Sequence, residues 1–162
     1  MEKMKAEICR LLKEDARMPM NQLAALVGAT EDEVRAAVEQ LESDKTIIKY
    51  TALINDDACA DDLVEAVIEV KVSPMRERGF DEIAEYICQF PEVKNLFLMS
   101  GGYDLAIYVE GKSLREVARF VSEKLSGLQQ VLSTATHFVL KRYKVEGVSL
   151  SQQTKERLII QA

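Results

Sequence analysis

The sequence contains one histidine, no tryptophan and three widely spaced cysteines among 162 residues. Protein zinc sites need several closely spaced Cys, His or acidic ligands, and a disulfide framework needs paired cysteines. We therefore expect no metal, no cofactor and no disulfide. Cys9 and Cys88 are expected to be buried as small apolar side chains.

Long hydrophobic runs are also missing. No apolar segment approaches the ~20 residues that a transmembrane helix requires, and the first residues lack the apolar core of a signal peptide. These two features predict a cytoplasmic protein that does not insert into a membrane.

Positive charge is scarce in one part of the chain. The net charge is −6, and residues 1–62 account for all of it with 14 acidic and 8 basic side chains. Acidic side chains repel phosphates, so this imbalance affects any function that involves nucleic acid.

Catalytic motifs are absent from the sequence as well. It has no Ser/His/Asp set, no phosphate-binding P-loop, no dinucleotide-binding glycine pattern and no cluster of metal ligands. We therefore expect that the protein is not an enzyme and has no catalytic residues.

The N-terminal part has the apolar periodicity of three helices, at about residues 3–14, 20–27 and 31–43. Gly28 is suited to end the second helix, and Thr30 with Glu33 forms a capping box for the third. Residues 47–54 are predicted to be a strand. This order indicates a winged helix-turn-helix domain over residues 1–54, whose third helix would enter the DNA major groove. A small three-helix packing unit is the alternative.

An acidic segment without periodicity, residues 55–62, is predicted to be a linker. Beyond it, the patterns predict a strand ending at Pro74, a helix between Phe80 and Pro91, two strands, a helix from Ser113 to about Gly127, and a last strand over 131–143. The order βαββαβ is typical of the ferredoxin-like α+β fold over residues 63–145.

Both helices of this fold should cover one face of a four-stranded antiparallel sheet. The opposite face carries Val, Phe and Tyr side chains, so we expect it to pair with a second copy of the chain. Residues 146–162 are predicted to be a C-terminal tail, whose apolar segment Leu158-Ile159-Ile160 should dock on the protein.

The two middle strands, which together span residues Leu96 to Val109, meet at Gly101 and Gly102. A Gly-Gly pair can supply the positive φ angles of a two-residue hairpin turn. Exposed glycine N–H groups could bind the carboxylate of a free amino acid, and Asp104 could accept hydrogen bonds from its ammonium group. The alternative is that the glycines only form a turn, with Asp104 accepting a bond within it. We call residues 99–104 the Gly-Gly turn.

Two ordered sets of residues resemble the Lrp/AsnC family of transcriptional regulators. The first is Asp15-Ala16-Arg17, Leu23-Ala24 with Val27-Gly28, Val34 with Val38, Leu41-Glu42, and Ile47 with Tyr50; the second is Pro91-Glu92-Val93, Gly101 with Tyr103-Asp104-Leu105, and Val131 with Thr134, Thr136 and Val139-Leu140.

The resemblance implies a cytoplasmic, amino-acid-responsive regulator that binds double-stranded promoter DNA. It also implies a RAM-type sensor domain, homodimers formed through the sheets, and octamers assembled from dimers. The expected effector-binding residues are Met99, Ser100, Gly101, Gly102, Tyr103, Asp104, Thr134 and Thr136. The expected DNA-binding residues are Thr30, Arg35, Lys45 and Lys49.

The chain departs from the family at the helix that should read DNA. Ala37 stands where the family usually has a basic residue, and Lys45 stands where it has a glycine before the wing. The helix also begins with Glu31-Asp32-Glu33. A sensor whose acidic helix-turn-helix binds protein rather than DNA is therefore an alternative. A tetrapyrrole decarboxylase-like enzyme shares the layout but relies on histidines, and His137 is the only one here.

Overall fold

The computed structural model describes residues 2–54, 63–73 and 79–150. The chain divides into two compact units, Met1–Ile54 and Asn55–Ala162. The predicted linker at 55–62 and the predicted docking of Leu158–Ile160 both lie outside the described residues. Within the described part, no helix is long and apolar enough to cross a bilayer.

The described residues of the first unit form three helices: α1 (Glu2–Glu14), α2 (Met20–Val27) and α3 (Glu31–Ser43). Side chains from all three build one small core, which includes Ile8, Leu11, Leu23, Val34, Val38 and Leu41. The predicted helix ends are confirmed. Gly28 has φ of 67° and donates its N–H to the Ala24 carbonyl, and Thr30 forms the capping box with Glu33.

The strand predicted at residues 47–54 is wrong. This segment forms neither helix nor strand, and residues 2–54 contain no other strand with which it could pair. A β-strand needs a partner for its backbone N–H and C=O groups. The segment is held to α3 instead: Ile47 donates its N–H to the Leu41 carbonyl, and Ile48 is 82% exposed.

The second unit contains the predicted antiparallel sheet. Its strands are β1 (Val64–Val72), β2 (Val93–Leu98), β3 (Leu105–Gly111) and β4 (Val131–Phe138), and its helices are α4 (Asp81–Ile87) and α5 (Leu114–Arg119). The strand order in the sheet is β2-β3-β1-β4. The α+β, ferredoxin-like prediction is therefore confirmed.

One face of this sheet carries the core. Ile68 of β1 lies opposite Ile107 of β3, and both are fully buried against residues of the two helices. Ile83 and Ile87 of α4 contribute to the same core, as the sequence predicted. We call the opposite side of the sheet, which carries Val67 and Tyr108, the open face.

The second helix of this unit differs from its prediction. After α5 the chain continues as a π-helical segment, Phe120–Leu125, in which Ser126 donates its N–H to the Val121 carbonyl. A π turn contains one extra residue and therefore changes which side chains face the core. Leu114, the first residue of α5, is 57% exposed, whereas Phe120 at the start of the π-helical segment is buried.

The last predicted strand, at 131–143, is shorter than expected. It ends at Phe138 because β1, its partner, begins at Val64 and offers only one further bond, from the Val139 N–H to the Glu65 carbonyl. Strands β5 (Lys144–Val145) and β6 (Val148–Ser149) then form a small hairpin, so the tail does not begin at residue 146. Cys88 is exposed, against the prediction that it is buried.

Candidate effector site and DNA-binding surface

The Gly-Gly turn connects β2 to β3 as a wider loop than predicted. The Met99 N–H donates to the Asp104 carbonyl at 2.8 Å, so residues 100–103 lie beyond this bond. The prediction of a two-residue turn is therefore wrong. Met99, Ser100 and both glycines are exposed, while Tyr103 is partly buried.

The two glycines have different conformational roles. Gly101 has a φ of 152°, whereas the φ of Gly102 is not positive. A side chain added at either position would meet no atom within 4 Å. Within the described residues, the N–H groups of residues 100–103 make no backbone hydrogen bond, so they can donate to a small ligand that carries a carboxylate.

Asp104 is bonded to β1 through both its backbone and its side chain. Its N–H donates to the Val70 carbonyl at 3.0 Å, and its Oδ2 accepts the Val72 N–H at 2.9 Å. The sequence predicts that Asp104 belongs to the site but does not predict this partner, since Val72 lies 32 positions earlier and nothing local marks the pair.

The structure places the predicted threonines on the same end of the sheet but not beside the turn. Thr134 lies opposite Val70, which in turn lies opposite Leu105. The backbones of Thr134 and Leu105 are thus separated by two strand spacings, roughly 10 Å. Thr134 and Thr136 are partly buried on the helix-covered side.

The open face of the sheet combines aromatic side chains with paired charges. Phe97 and Tyr108 meet edge to face, with ring centroids 5.8 Å apart, and are 51% and 41% exposed. Ion pairs join Lys94 to Glu110 and Arg142 to Glu65. A cavity of about 470 Å³ lies between this face and the hairpin of β5 and β6.

His137 also lies on the open face. It pairs with Val67 in the register, and its Nε2 is 3.6 Å from Glu69 Oε1. It thus lies on the side of β4 opposite Thr134 and Thr136, which pair with Val70 and Ile68.

Another side-chain cluster, missed by the sequence analysis, fixes the start of β2. Lys124 bonds Glu92 and lies over the rings of Phe90 and Phe120 at 5.1 and 5.8 Å. Burial raises the pKa of the Glu92 carboxyl, but the Lys124 hydrogen bond, the backbone bond of Glu92 and nearby positive charges outweigh it and leave the pKa below its ordinary value.

In the first unit, the four predicted DNA-binding residues are all exposed. Thr30 caps α3, Arg35 lies on its solvent side, and Lys45 and Lys49 follow its end. Among the described residues, no hydrogen bond or ion pair engages the Arg35 guanidinium, which leaves it available to a phosphate or a base.

Two of the acidic residues of α3, Glu33 and Glu42, have structural roles. Glu33 accepts bonds from the Thr30 backbone N–H and hydroxyl, and these hold the pKa of Glu33 below its ordinary value. Glu42 accepts the Tyr50 hydroxyl at 2.8 Å. Burial, followed by this bond and the Glu42 charge, raises the pKa of Tyr50 to about 12.

Comparison with known proteins places this site in a recognised domain. The family model for the Lrp/AsnC ligand binding domain matches residues 65–149. The HTH-type transcriptional regulator YugG of Bacillus subtilis (strain 168) is 46% identical over 142 residues, which cover 87% of this chain and 86% of that protein.

Two solved structures share the fold. The crystal structure of MtbAldR superposes with a TM-score of 0.76 at 21% identity, covering 89% of this chain and 97% of that one. The complex of the transcriptional regulator NMB0573 from Neisseria meningitidis with L-Met gives a TM-score of 0.69 at 22% identity, covering 90% and 93%.

Proposed function

Because the chain belongs to the Lrp/AsnC family of HTH-type transcriptional regulators, we propose that it binds promoter DNA through residues 1–54 and senses a free amino acid at the Gly-Gly turn. One observation carries the sensing part of this proposal. Residues 100–102 of the turn are exposed, the N–H groups of residues 100–103 make no backbone hydrogen bond within the described part of the chain, and Asp104 bonds the turn to β1. Such N–H groups are complementary to the carboxylate of an amino acid.

The experiment that tests this proposal is a thermal-shift screen against the twenty amino acids, beginning with L-methionine, which is bound in the NMB0573 structure. A ligand that binds only the native state raises the midpoint of unfolding with concentration. Gly101→Val is the matched variant, because a β-branched side chain at φ of 152° distorts the loop. It should lose the shift. If no amino acid stabilises the wild type at millimolar concentration, the sensing proposal is wrong.

The proposed effector site is the turn, Met99 to Asp104. Thr134 and Thr136 remain a separate prediction, since roughly 10 Å is too far for one small amino acid at the turn to bridge within a protomer. They could reach an effector only if a second copy brings them to it.

For DNA binding, Arg35, Lys45 and Lys49 are the proposed phosphate and base contacts, with the N-terminus of α3 at Thr30 beside them. Each phosphate that a basic side chain neutralises steepens the slope of log K against log salt concentration by about 0.9. Because a single first unit offers few such contacts, we propose that specific binding requires several linked protomers. Homodimers formed through the open face, assembled further into octamers, would supply them in the cytoplasm.

Arg35→Glu tests this arrangement. It should abolish specific retardation of a cognate promoter fragment, because it replaces a DNA contact with a repelling carboxylate, and it should leave the assembly unchanged in sedimentation. Arg115→Glu, the same charge change on an exposed residue of α5, is the control and should bind as the wild type does.

A second function is favoured by the surface of α3 itself. Glu31, Asp32 and Glu39 are exposed around Arg35, and such a surface suits a basic protein segment better than a phosphate backbone. If Arg35→Glu retards promoter DNA like the wild type, α3 does not read DNA as proposed. If the wild type itself binds no promoter, the protein-binding function replaces DNA binding. A catalytic function is not proposed.

A further inference from the structure

We propose that Asp104 is a positioning residue for the Gly-Gly turn: its carboxylate holds the turn to the end of β1 and contributes to effector binding through that contact rather than by pairing with the effector's ammonium. The inference rests on the proposed function, in which the turn binds the effector. It differs from the expectation that placed Asp104 against the ligand.

The contacts of Asp104 are all with the scaffold. Its N–H donates to the Val70 carbonyl at 3.0 Å, its carbonyl accepts the Met99 N–H at 2.8 Å, and its Oδ2 accepts the Val72 N–H at 2.9 Å. The residue thus bonds to β1 and to Met99, the residue that follows β2, and the side-chain bond is partly buried.

The side-chain bond ends the ladder between β1 and β3. The last pair in their register is Val70 with Leu105, and continuing the ladder would give the Val72 N–H to a backbone carbonyl of the turn. The Asp104 carboxylate takes that N–H instead. Residues 100–103 are thereby released from β1 and can leave the sheet as a loop with its own N–H groups unused by the ladder.

The end of β1 is a firm point of attachment. The register between β1 and β4 shifts at Lys71 and Val72, and the next residue, Ser73, donates its N–H to the Gln130 carbonyl at 2.8 Å. The N–H groups of Val72 and Ser73 therefore bond on opposite sides of β1, the first to Asp104 and the second to Gln130. A carboxylate fixed to this point sets the position of the whole turn relative to the sheet, which a small ligand requires.

Asparagine at position 104 separates the two roles. An asparagine offers an amide oxygen at the same place for the Val72 N–H, but it carries no negative charge for an ammonium group. Alanine removes both. The pair Asp104→Asn and Asp104→Ala therefore distinguishes positioning from direct contact.

Two measurements test the proposal: hydrogen exchange of the Val72 amide, and calorimetric affinity for the amino acid that gives the largest thermal shift, with L-methionine as the first probe. We expect Asp104→Asn to keep Val72 protected and to bind within about threefold of the wild type. Asp104→Ala should lose protection and bind at least roughly tenfold more weakly.

The proposal is overturned if Asp104→Asn loses as much affinity as Asp104→Ala while Val72 stays protected, since the charge itself would then bind the effector. It is also overturned if Asp104→Ala leaves Val72 protected. Should Asp104→Ala fail to fold, Asp104→Asn against the wild type decides. If the wild type binds no amino acid, the proposed function fails, and the exchange of Val72 still tests the contact.

Discussion

At the scale of single residues, Lys45 is in a conformation that does not suit its side chain. Its φ is 64°, in the left-handed region where a Cβ crowds the backbone. The residue directly follows Asp44, the cap of α3, a position where a glycine would be unstrained. The structure thus gives a physical reason to expect that a glycine would be favoured at this position.

Lys45→Gly should therefore raise the free energy of unfolding by roughly 0.5–1 kcal/mol, the relief of strain less the greater freedom of glycine in the unfolded chain. Urea denaturation measures it. Lys49→Gly is the control, because it removes the same charge where φ is not positive, and it should give no gain. If both lysines contact DNA, both variants bind promoter DNA more weakly even though one is more stable.

At the scale of elements, the capping box determines how well α3 is held. The Thr30 hydroxyl accepts the Glu33 N–H at 3.3 Å, and Glu33 accepts the Thr30 N–H at 2.9 Å. Thr30→Ala should lower the free energy of unfolding by about 1 kcal/mol. Thr30→Ser, which keeps the hydroxyl, should restore most of it. Equal losses in the two variants would mean that the methyl group, not the cap, matters.

The same box predicts a pH dependence. The folded-state pKa of Glu33 is below its ordinary value, so its contribution to stability is complete above that ordinary value and is lost as pH falls through the folded pKa. The wild type should therefore exceed Glu33→Gln in stability at pH 7, and the two should converge below about pH 4. Thermal denaturation of both proteins across pH 3–7 measures the difference in their stability. A difference that stays constant with pH would contradict the prediction.

Which elements could be predicted depended on how local their causes are. Gly28 and Thr30 were found because a cap acts within four residues, and the strands of the sheet because alternation is visible along the chain. The conformation of the segment after Lys45 was predicted wrongly, because a β-prone segment forms a strand only beside a partner strand, and residues 2–54 contain none. The π turn after Arg119 also has no marker in the periodicity.

The candidate site divides in the same way. The turn and its glycines could be located from the sequence, but its width and the bond from Val72 to Asp104 could not, because they depend on where β1 ends in three dimensions. The exposure of Arg35 followed from helical spacing alone. The separation of Thr134 from the turn required the strand order, which places β1 between β3 and β4.

At the scale of the whole molecule, the open face is where we expect a second copy to bind. Phe97 and Tyr108 are its largest exposed aromatic side chains. Tyr108→Glu should weaken self-association at least roughly a hundredfold, because a carboxylate buried without a partner is strongly unfavourable. Sedimentation velocity at micromolar concentration should then detect monomers.

Leu114→Glu is the matched control, since Leu114 is 57% exposed on α5, on the helix-covered side of the sheet. It should sediment like the wild type. A Tyr108→Glu protein that remains a dimer would show that the pairing surface lies elsewhere.

The ion pairs of the open face have a consequence for the choice of partner. Two of its acidic side chains, Glu65 and Glu110, already have Arg142 and Lys94 beside them within one protomer. Charges that are paired in this way contribute little attraction or repulsion toward a similar surface on a related protein. Discrimination between identical and merely homologous subunits then depends on the shape of Phe97 and Tyr108. If the open face pairs two copies as we expect, a second regulator with matching aromatic residues would enter hybrid assemblies with this one.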